Sequence, residues 1–163
     1  MPSLKNKFIL FDFDGVLVQT LALTLEIIQR KNPGHTLEMI RKNMEGSIYD
    51  SPAVDQKHFE EFFSQYAQEI MKLPVMLGIQ PALKKLAQEH TLIIVSSTIT
   101  APISAYADFH NLSRYFAEIL GGDHEKSKTK KFQIIFKKYG VRAQDCVFIP
   151  GEYPAVSPRV WAN

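Results

Sequence analysis

The feature that most constrains the fold is a set of short, continuous apolar runs that end in polar or small residues. The first run is Phe8–Phe11, which leads directly into the acidic turn 12–15. The second is 92–95, which leads into the hydroxyl-rich segment 96–98, and the third is Cys146–Ile149. Apolar runs of this length, without polar alternation, are typical of strands buried on both faces of a parallel sheet.

Helical patterns separate these runs, and residues 118–120 form a further short strand candidate. The predicted helices cover residues 21–30, 36–43, 55–72, 78–89, 101–109 and 128–139. Strands that alternate with helices predict βαβ units. The helical stretch 20–74 is too long for one crossover and predicts an inserted cap. We therefore predict an α/β fold, a Rossmann-like three-layer parallel sheet built from 1–19 and 75–163, with a small helical cap at 20–74.

Composition narrows the class of protein. The chain has 163 residues, a length typical of one domain, and is 45% hydrophobic, enough for a real core. Its 19 basic and 17 acidic residues give a net charge of +2, too balanced to indicate nucleic acid as a partner. No apolar stretch approaches the length of a membrane span, and the polar N-terminus does not resemble a signal peptide. The single cysteine, Cys146, excludes an internal disulfide and fits the cytoplasm.

Basic residues cluster late in the chain, in a pattern that is mostly typical of a solvated helix face. The cluster consists of Lys126, Lys128, Lys130, Lys131, Lys137 and Lys138.

Polar residues at the predicted strand ends indicate phosphoryl chemistry. In open α/β sheets ligands bind outside the carboxyl ends of the strands, where Asp12, Asp14 and the hydroxyls of 96–98 would meet. Two carboxylates separated by one residue crowd their charge and favour a shared cation, for which Mg²⁺ is suited. A hydroxyl and a lysine, Lys126 or Lys128, would hold an anion there. An aspartate can also act as the nucleophile and form an aspartyl-phosphate.

The segment FDFDGVL, residues 11–17, resembles the first motif of the haloacid dehalogenase superfamily. The layout of the chain up to Ile149 is similar to that of the phosphoglycolate-phosphatase-like members. The resemblance implies that Asp12 is the nucleophile and that Asp14 is the general acid and base. It also implies a bound Mg²⁺ that Asp12 and the Asp14 backbone carbonyl contact.

Two further motifs of the superfamily have counterparts here. The second is a serine or threonine at the end of an apolar strand, and Ser96 matches it, so Ser96 would bind phosphate. Ser97 and Gly15 are expected beside it in the substrate site. The third is a lysine that opens a helix, and Lys128 fits best, with Lys126 as the alternative in the substrate site.

The fourth motif departs from the family pattern, which places one acid just after a strand and another about four residues later. Gly151 and Ala155 stand at those two positions, and Glu152, one place late, is the candidate metal ligand. The chain also stops at Asn163, before the final strand and helix expected of the family. A truncation or a change of reading frame near Pro150 would explain both departures.

These observations predict a Mg²⁺-dependent phosphatase that hydrolyses a small phosphorylated metabolite through an aspartyl-phosphate. The alternative is a catalytically impaired protein of the same fold that binds a phosphate compound or a protein partner. No Walker-type glycine-rich run precedes a Lys-Ser or Lys-Thr pair, which sets aside a P-loop protein. The sequence indicates neither the particular phosphomonoester nor the oligomeric state. Polar residues of the cap, such as Tyr49 and His58, are generic candidates for substrate contact.

Overall fold

The computed structural model describes residues 7–44, 49 and 56–151. Within them one sheet has four parallel strands: β1 (Phe8–Phe11), β2 (Thr91–Val95), β3 (Phe116–Leu120) and β4 (Cys146–Ile149). The strand order is β3-β2-β1-β4, so β1 lies between β2 and β4. Phe11 is in register with Ile94 on one side and with Ile149 on the other, so the residues that follow these strands emerge at the same edge. The predicted parallel α/β sheet is confirmed.

The helices lie close to their predicted positions. They are α1 (Leu21–Gln29), α2 (Leu37–Met44), α3 (Gln56–Glu69), α4 (Ile79–Leu86), α5 (Thr100–Phe109) and α6 (Lys128–Tyr139). Three short 3₁₀ turns, Ile70–Lys72, Ser113–Tyr115 and Ala143–Asp145, complete the described elements. We call α1, α2 and α3 the inserted helices, because they follow β1 and precede the remainder of the sheet. None of the described helices is long and apolar enough to cross a membrane.

The core has two parts because successive side chains of each strand point to opposite faces of the sheet. On one face Ile9, Phe11 and Ile94 pack in a cluster with buried residues of α5 and of the inserted helices. On the other face Leu10 and Ile93 pack with residues of α6. Helices therefore cover both faces of the sheet, as in the predicted three-layer arrangement.

The inward face of α1 differs from the prediction. The helical spacing of apolar residues in 21–30 predicts an inward stripe of Leu21, Leu25 and Ile28, whereas the buried positions are Leu23, Thr24 and Ile27. Apolar residues occupy more than one face of α1, so helical spacing alone admits two stripes. The packing of α1 against α3 selects between them.

Candidate active site

The turn after β1 presents two carboxylates at the sheet edge. The Asp12 backbone N–H donates to the carbonyl of Ile149 at 2.9 Å, which extends the pairing of β1 with β4 by one residue. Gly15 has φ +74°, in the left-handed region that favours glycine, and its N–H donates to the Val18 carbonyl at 2.8 Å. This tight turn reverses the chain directly after Asp14 and keeps that carboxylate near the end of β1.

Asp12 is buried and paired with a lysine. Its Oδ1 accepts a hydrogen bond from the Phe13 N–H at 2.9 Å, and its Oδ2 contacts the Lys128 ammonium. The two side chains are only 8% and 5% exposed, so solvent hardly screens the pair. Burial raises the pKa of the Asp12 carboxyl above its ordinary value, and the nearby Lys128 charge offsets only part of that effect.

The helix start of α6 brings Lys128 to this position. Ser127 is the N-cap, and its hydroxyl accepts from the Lys130 N–H at 3.3 Å, so the helix begins at Lys128. Lys126, the alternative from the sequence, is exposed, and its ammonium lies 5.4 Å from the centre of the Tyr49 ring. Of the two candidate lysines, Lys128 is the one in contact with Asp12.

Asp14 has different surroundings, made of hydroxyl groups. Its Oδ1 accepts from the Thr20 hydroxyl at 2.7 Å and from the hydroxyl of Tyr66 on α3. Its Oδ2 accepts from the Thr98 hydroxyl at 2.7 Å. Burial and the Asp14 charge raise the pKa of Tyr66 well above its ordinary value, so the phenol remains a donor.

The loop after β2 contains Ser96 and Ser97. Ser96 is fully buried, and its hydroxyl accepts from the Thr98 N–H at 3.1 Å. Ser97 is partly buried, and its carbonyl accepts from the Tyr49 hydroxyl at 2.6 Å. Burial raises the pKa of Tyr49 to about 12. The structure thus places the predicted phosphate-binding loop beside Asp14, with Tyr49 held against it.

A second lysine of α6, Lys131, is fully buried behind this loop. Its ammonium donates to the carbonyl of Ser96 and, at 3.2 Å, to the carbonyl of Gly121. Burial, aided by the positive charge of Lys128, lowers the pKa of Lys131 to about 8. Lys131 therefore links the ends of β2 and β3 and supports the loop in which Ser96 lies. In the basic cluster, Lys126, Lys130, Lys137 and Lys138 are exposed, as predicted for most members.

Gly151 lies where the family pattern has an acid. A β-carbon at this position would collide with the Asp14 carbonyl oxygen and come within 3.4 Å of Asp12 Oδ2. The Asp14 carbonyl oxygen and Asp12 Oδ2, both able to bind a cation, thus lie on the side of Gly151 where a β-carbon would stand. The predicted ligand Glu152 and the position of Ala155 lie outside the described residues.

The described donors fit a sparsely liganded Mg²⁺. This ion is commonly held by one or two carboxylates together with water and substrate phosphate. Asp12 Oδ2 and the Asp14 carbonyl supply two such oxygens at Gly151. Residues 7–44, 49 and 56–151 contain no group of three or more His, Cys, Asp or Glu side chains close enough to hold a metal. These oxygens are of the kind that Mg²⁺ binds, but only one belongs to a carboxylate, and the Lys128 ammonium contacts that same oxygen.

Reasoning from the sequence did not predict the contacts that Thr20, Tyr66 and Lys131 make in this site. The near-helical spacing of aromatic residues in 55–72 predicts that Tyr66 packs in the core. A buried tyrosine also needs a partner for its hydroxyl, and that need was a usable signal. Lys131 was assigned to a solvated helix face, yet its position three residues after Lys128 puts it on a neighbouring part of the same face. Nothing in the sequence indicated that Tyr49 contacts the Ser97 carbonyl.

One comparison with known protein families gave a match. Residues 9–152 match the sequence model of the family described as haloacid dehalogenase-like hydrolase. A search of curated protein sequences found no significant match.

Several solved structures are similar in fold. A predicted phosphatase from Clostridium acetobutylicum superposes with a TM-score of 0.73 at 20% identity, covering 93% of this chain and 79% of its own. A haloacid dehalogenase-like hydrolase from Streptococcus pneumoniae gives 0.71 at 16% identity, with 91% and 78% covered. A predicted phosphoglycolate phosphatase from Haemophilus somnus gives 0.66 at 20% identity, with 91% and 77% covered. At these identities the likeness establishes the fold.

Proposed function

Because the chain belongs to the haloacid dehalogenase-like hydrolase family, we propose that it is a phosphatase acting through an aspartyl-phosphate on Asp12. The substrate class is a small phosphomonoester, a phosphorylated metabolite of the cytoplasm. The observation that carries the proposal is the contact between the buried Asp12 carboxylate and the Lys128 ammonium at the carboxyl end of β1. Similar folds include proteins described as predicted phosphatases, which supports the same reaction class.

The reaction has two steps. An oxygen of Asp12 attacks phosphorus, the bond from phosphorus to the leaving oxygen breaks, and protonated Asp14 gives its proton to that oxygen. Water then attacks the phosphorus of the aspartyl-phosphate, and Asp14 takes the proton from the water. The bond from phosphorus to Asp12 breaks, which releases phosphate and restores both side chains.

The Lys128 ammonium has N–H groups that its contact with Asp12 does not use. An ammonium carries three N–H groups, and the contact with Asp12 uses one of them. The remaining donors suit phosphoryl oxygens, whose negative charge a fixed ammonium stabilises in a buried site. The Phe13 N–H on Asp12 Oδ1 fixes the plane of the carboxylate, which orients the nucleophile.

Mg²⁺ is part of the proposal. Asp12 Oδ2 and the Asp14 carbonyl would hold it, and Glu152 is the residue that would complete the set. The ion, when bound, supplies positive charge to phosphoryl oxygens. We expect weak Mg²⁺ affinity, because Gly151 takes the place of an acidic ligand.

Hydrolysis of 4-nitrophenyl phosphate with Mg²⁺ tests the proposal. Asp12→Asn should lower kcat/KM by roughly 10³-fold or more, because it removes the nucleophile. Asp108→Asn is the matched control, since Asp108 is an exposed carboxylate on α5 and should leave activity unchanged. A hydroxylamine-sensitive phosphoenzyme should form in the wild type and not in Asp12→Asn. Wild-type activity in Asp12→Asn would refute the nucleophile.

A second function has one observation in its favour. Gly151 at the position of a metal-binding acid fits a protein that binds a phosphate compound or a protein partner without turnover. Calorimetric titration with inorganic phosphate separates the two functions. Binding that Lys128→Met abolishes, in a protein without phosphatase activity at millimolar Mg²⁺, would favour the binding role.

A further inference from the structure

We propose that Tyr66 is a positioning residue for Asp14, whose hydroxyl on α3 fixes the direction in which that carboxylate meets the leaving group. The inference rests on the proposed phosphatase function and adds to it a residue of the inserted helices. Tyr66 acts through Asp14 and does not itself exchange atoms with the substrate.

The geometry around Asp14 supports this role. Its two oxygens are held from different sides, Oδ1 by Thr20 and Tyr66 and Oδ2 by Thr98. Thr20 and Thr98 belong to segments that follow β1 and β2, so the edge of the sheet supplies two of the three donors. Tyr66 is the only one of these donors carried by α3. Donors on both oxygens fix the rotation of a carboxylate about its last single bond.

The setting of Tyr66 explains why its hydroxyl is well placed. The ring is 1% exposed and packs against Phe62 and Phe63, with ring centres 5.7 Å and 5.9 Å away. A threonine hydroxyl rotates with one side-chain torsion, whereas the position of a packed phenol oxygen is determined by the whole ring and its helix. Packing alone would be served equally by phenylalanine, so the hydroxyl is the part that requires a separate explanation.

The type of donor also matters. Among the described residues no lysine or arginine forms an ion pair with Asp14, in contrast to Asp12 and Lys128. Neutral hydroxyls direct the carboxylate without adding a positive charge beside it. The position of α3 is thereby coupled to the orientation of the acid.

Two phosphate esters with different leaving groups test the proposal. Ethyl phosphate leaves as a strongly basic alkoxide and needs protonation, whereas 4-nitrophenyl phosphate leaves readily without it. We expect Tyr66→Phe to lower kcat/KM for ethyl phosphate about tenfold and for 4-nitrophenyl phosphate by less than about threefold, part of the contribution of a general acid. Tyr106→Phe is the matched control, since Tyr106 is equally buried but donates to the Leu73 carbonyl at 3.1 Å.

A second measurement tests the contact independently of activity. Tyr66→Phe, Asp14→Ala and the double variant should lower Tm by less in combination than the sum of the single changes, because either single change already removes the hydrogen bond that the two side chains share. Strictly additive shifts would overturn the contact. Equal losses on both esters, in an active protein, would overturn the positioning role alone. A wild-type protein that hydrolyses neither ester would instead overturn the proposed function and, with it, the role of Tyr66.

Discussion

Asp12 and Asp14 are separated by one residue and have opposite surroundings. Asp12 is buried against an ammonium from α6, whereas Asp14 accepts three hydroxyl hydrogen bonds, one of them from α3. The same strand end delivers both carboxylates, but different helices complete their environments. Paired carboxylates with different environments commonly divide the roles of nucleophile and acid. The difference agrees with the proposed roles, in which Asp12, beside α6, is the nucleophile and Asp14, beside α3, is the acid and base.

The largest expected change in the free energy of unfolding comes from breaking the ion pair between Lys128 and Asp12. Lys128→Met removes the partner of a buried carboxylate, and removing one member of such a pair costs about 3–5 kcal/mol of unfolding free energy. Urea denaturation at neutral pH measures this loss, with the exposed Lys130→Met of the same helix as control. Adding Asp12→Asn should restore most of the stability, because no unpaired charge remains. A loss below about 1 kcal/mol would mean that the pair is not buried in solution.

A side chain at Gly151 would meet both Asp14 and Asp12, so it should disturb the turn that contains them. Gly151→Ala would place its β-carbon against the Asp14 carbonyl, and overpacking of this kind costs about 1–3 kcal/mol. Gly34→Ala is the matched control, because no atom lies near a β-carbon at Gly34. Thermal unfolding of the two variants compares them. Equal Tm values would show that the backbone after β4 is not held against Asp14.

Lys131 offers a contrast with Lys128, because it is also buried but contacts two backbone carbonyls and, within the part of the chain that the structure describes, no carboxylate. Its pKa of about 8 in the folded chain lies below the ordinary value of 10.5, so the unfolded chain keeps the proton to higher pH. The wild type should therefore gain stability relative to Lys131→Met as pH rises from about 8 to 10.5, by about 3 kcal/mol, since one pKa unit corresponds to about 1.4 kcal/mol. Below pH 8 both states are protonated, and the difference should be constant.

Denaturation of the wild type and of Lys131→Met at several pH values checks this trend. Lys137→Met, an exposed change on the same helix, should run parallel to the wild type. A difference between the wild type and Lys131→Met that falls over this range would contradict the depressed pKa.

The smallest expected change in the free energy of unfolding comes from removing one hydroxyl donor to Asp14. Thr98→Val preserves shape and removes one of three hydrogen bonds to Asp14, which should cost about 1 kcal/mol. Urea denaturation of Thr98→Val and of Lys128→Met under the same conditions compares the two losses of unfolding free energy. If Thr98→Val proved as damaging as Lys128→Met, the two carboxylates would not differ as the structure indicates.

The sequence by itself determined the sheet and the contents of its edge. Continuous apolar runs predicted β1, β2 and β4, because strands covered on both faces have no polar alternation. The acids and hydroxyls follow those runs directly, so their place at the carboxyl ends was contained in the sequence. The choice between Lys126 and Lys128 was narrowed but left open, since both lie near the start of α6.

Only the tertiary structure decided which groups meet at that edge. The contact of Lys128 with Asp12, the burial of Lys131 and the approach of Tyr66 to Asp14 join residues distant in sequence. Local patterns report which face of a helix is apolar, as for α1 and α3, but not what stands opposite that face. That depends on how the helices pack on the sheet, and it is this packing that gives neighbouring carboxylates different chemistry.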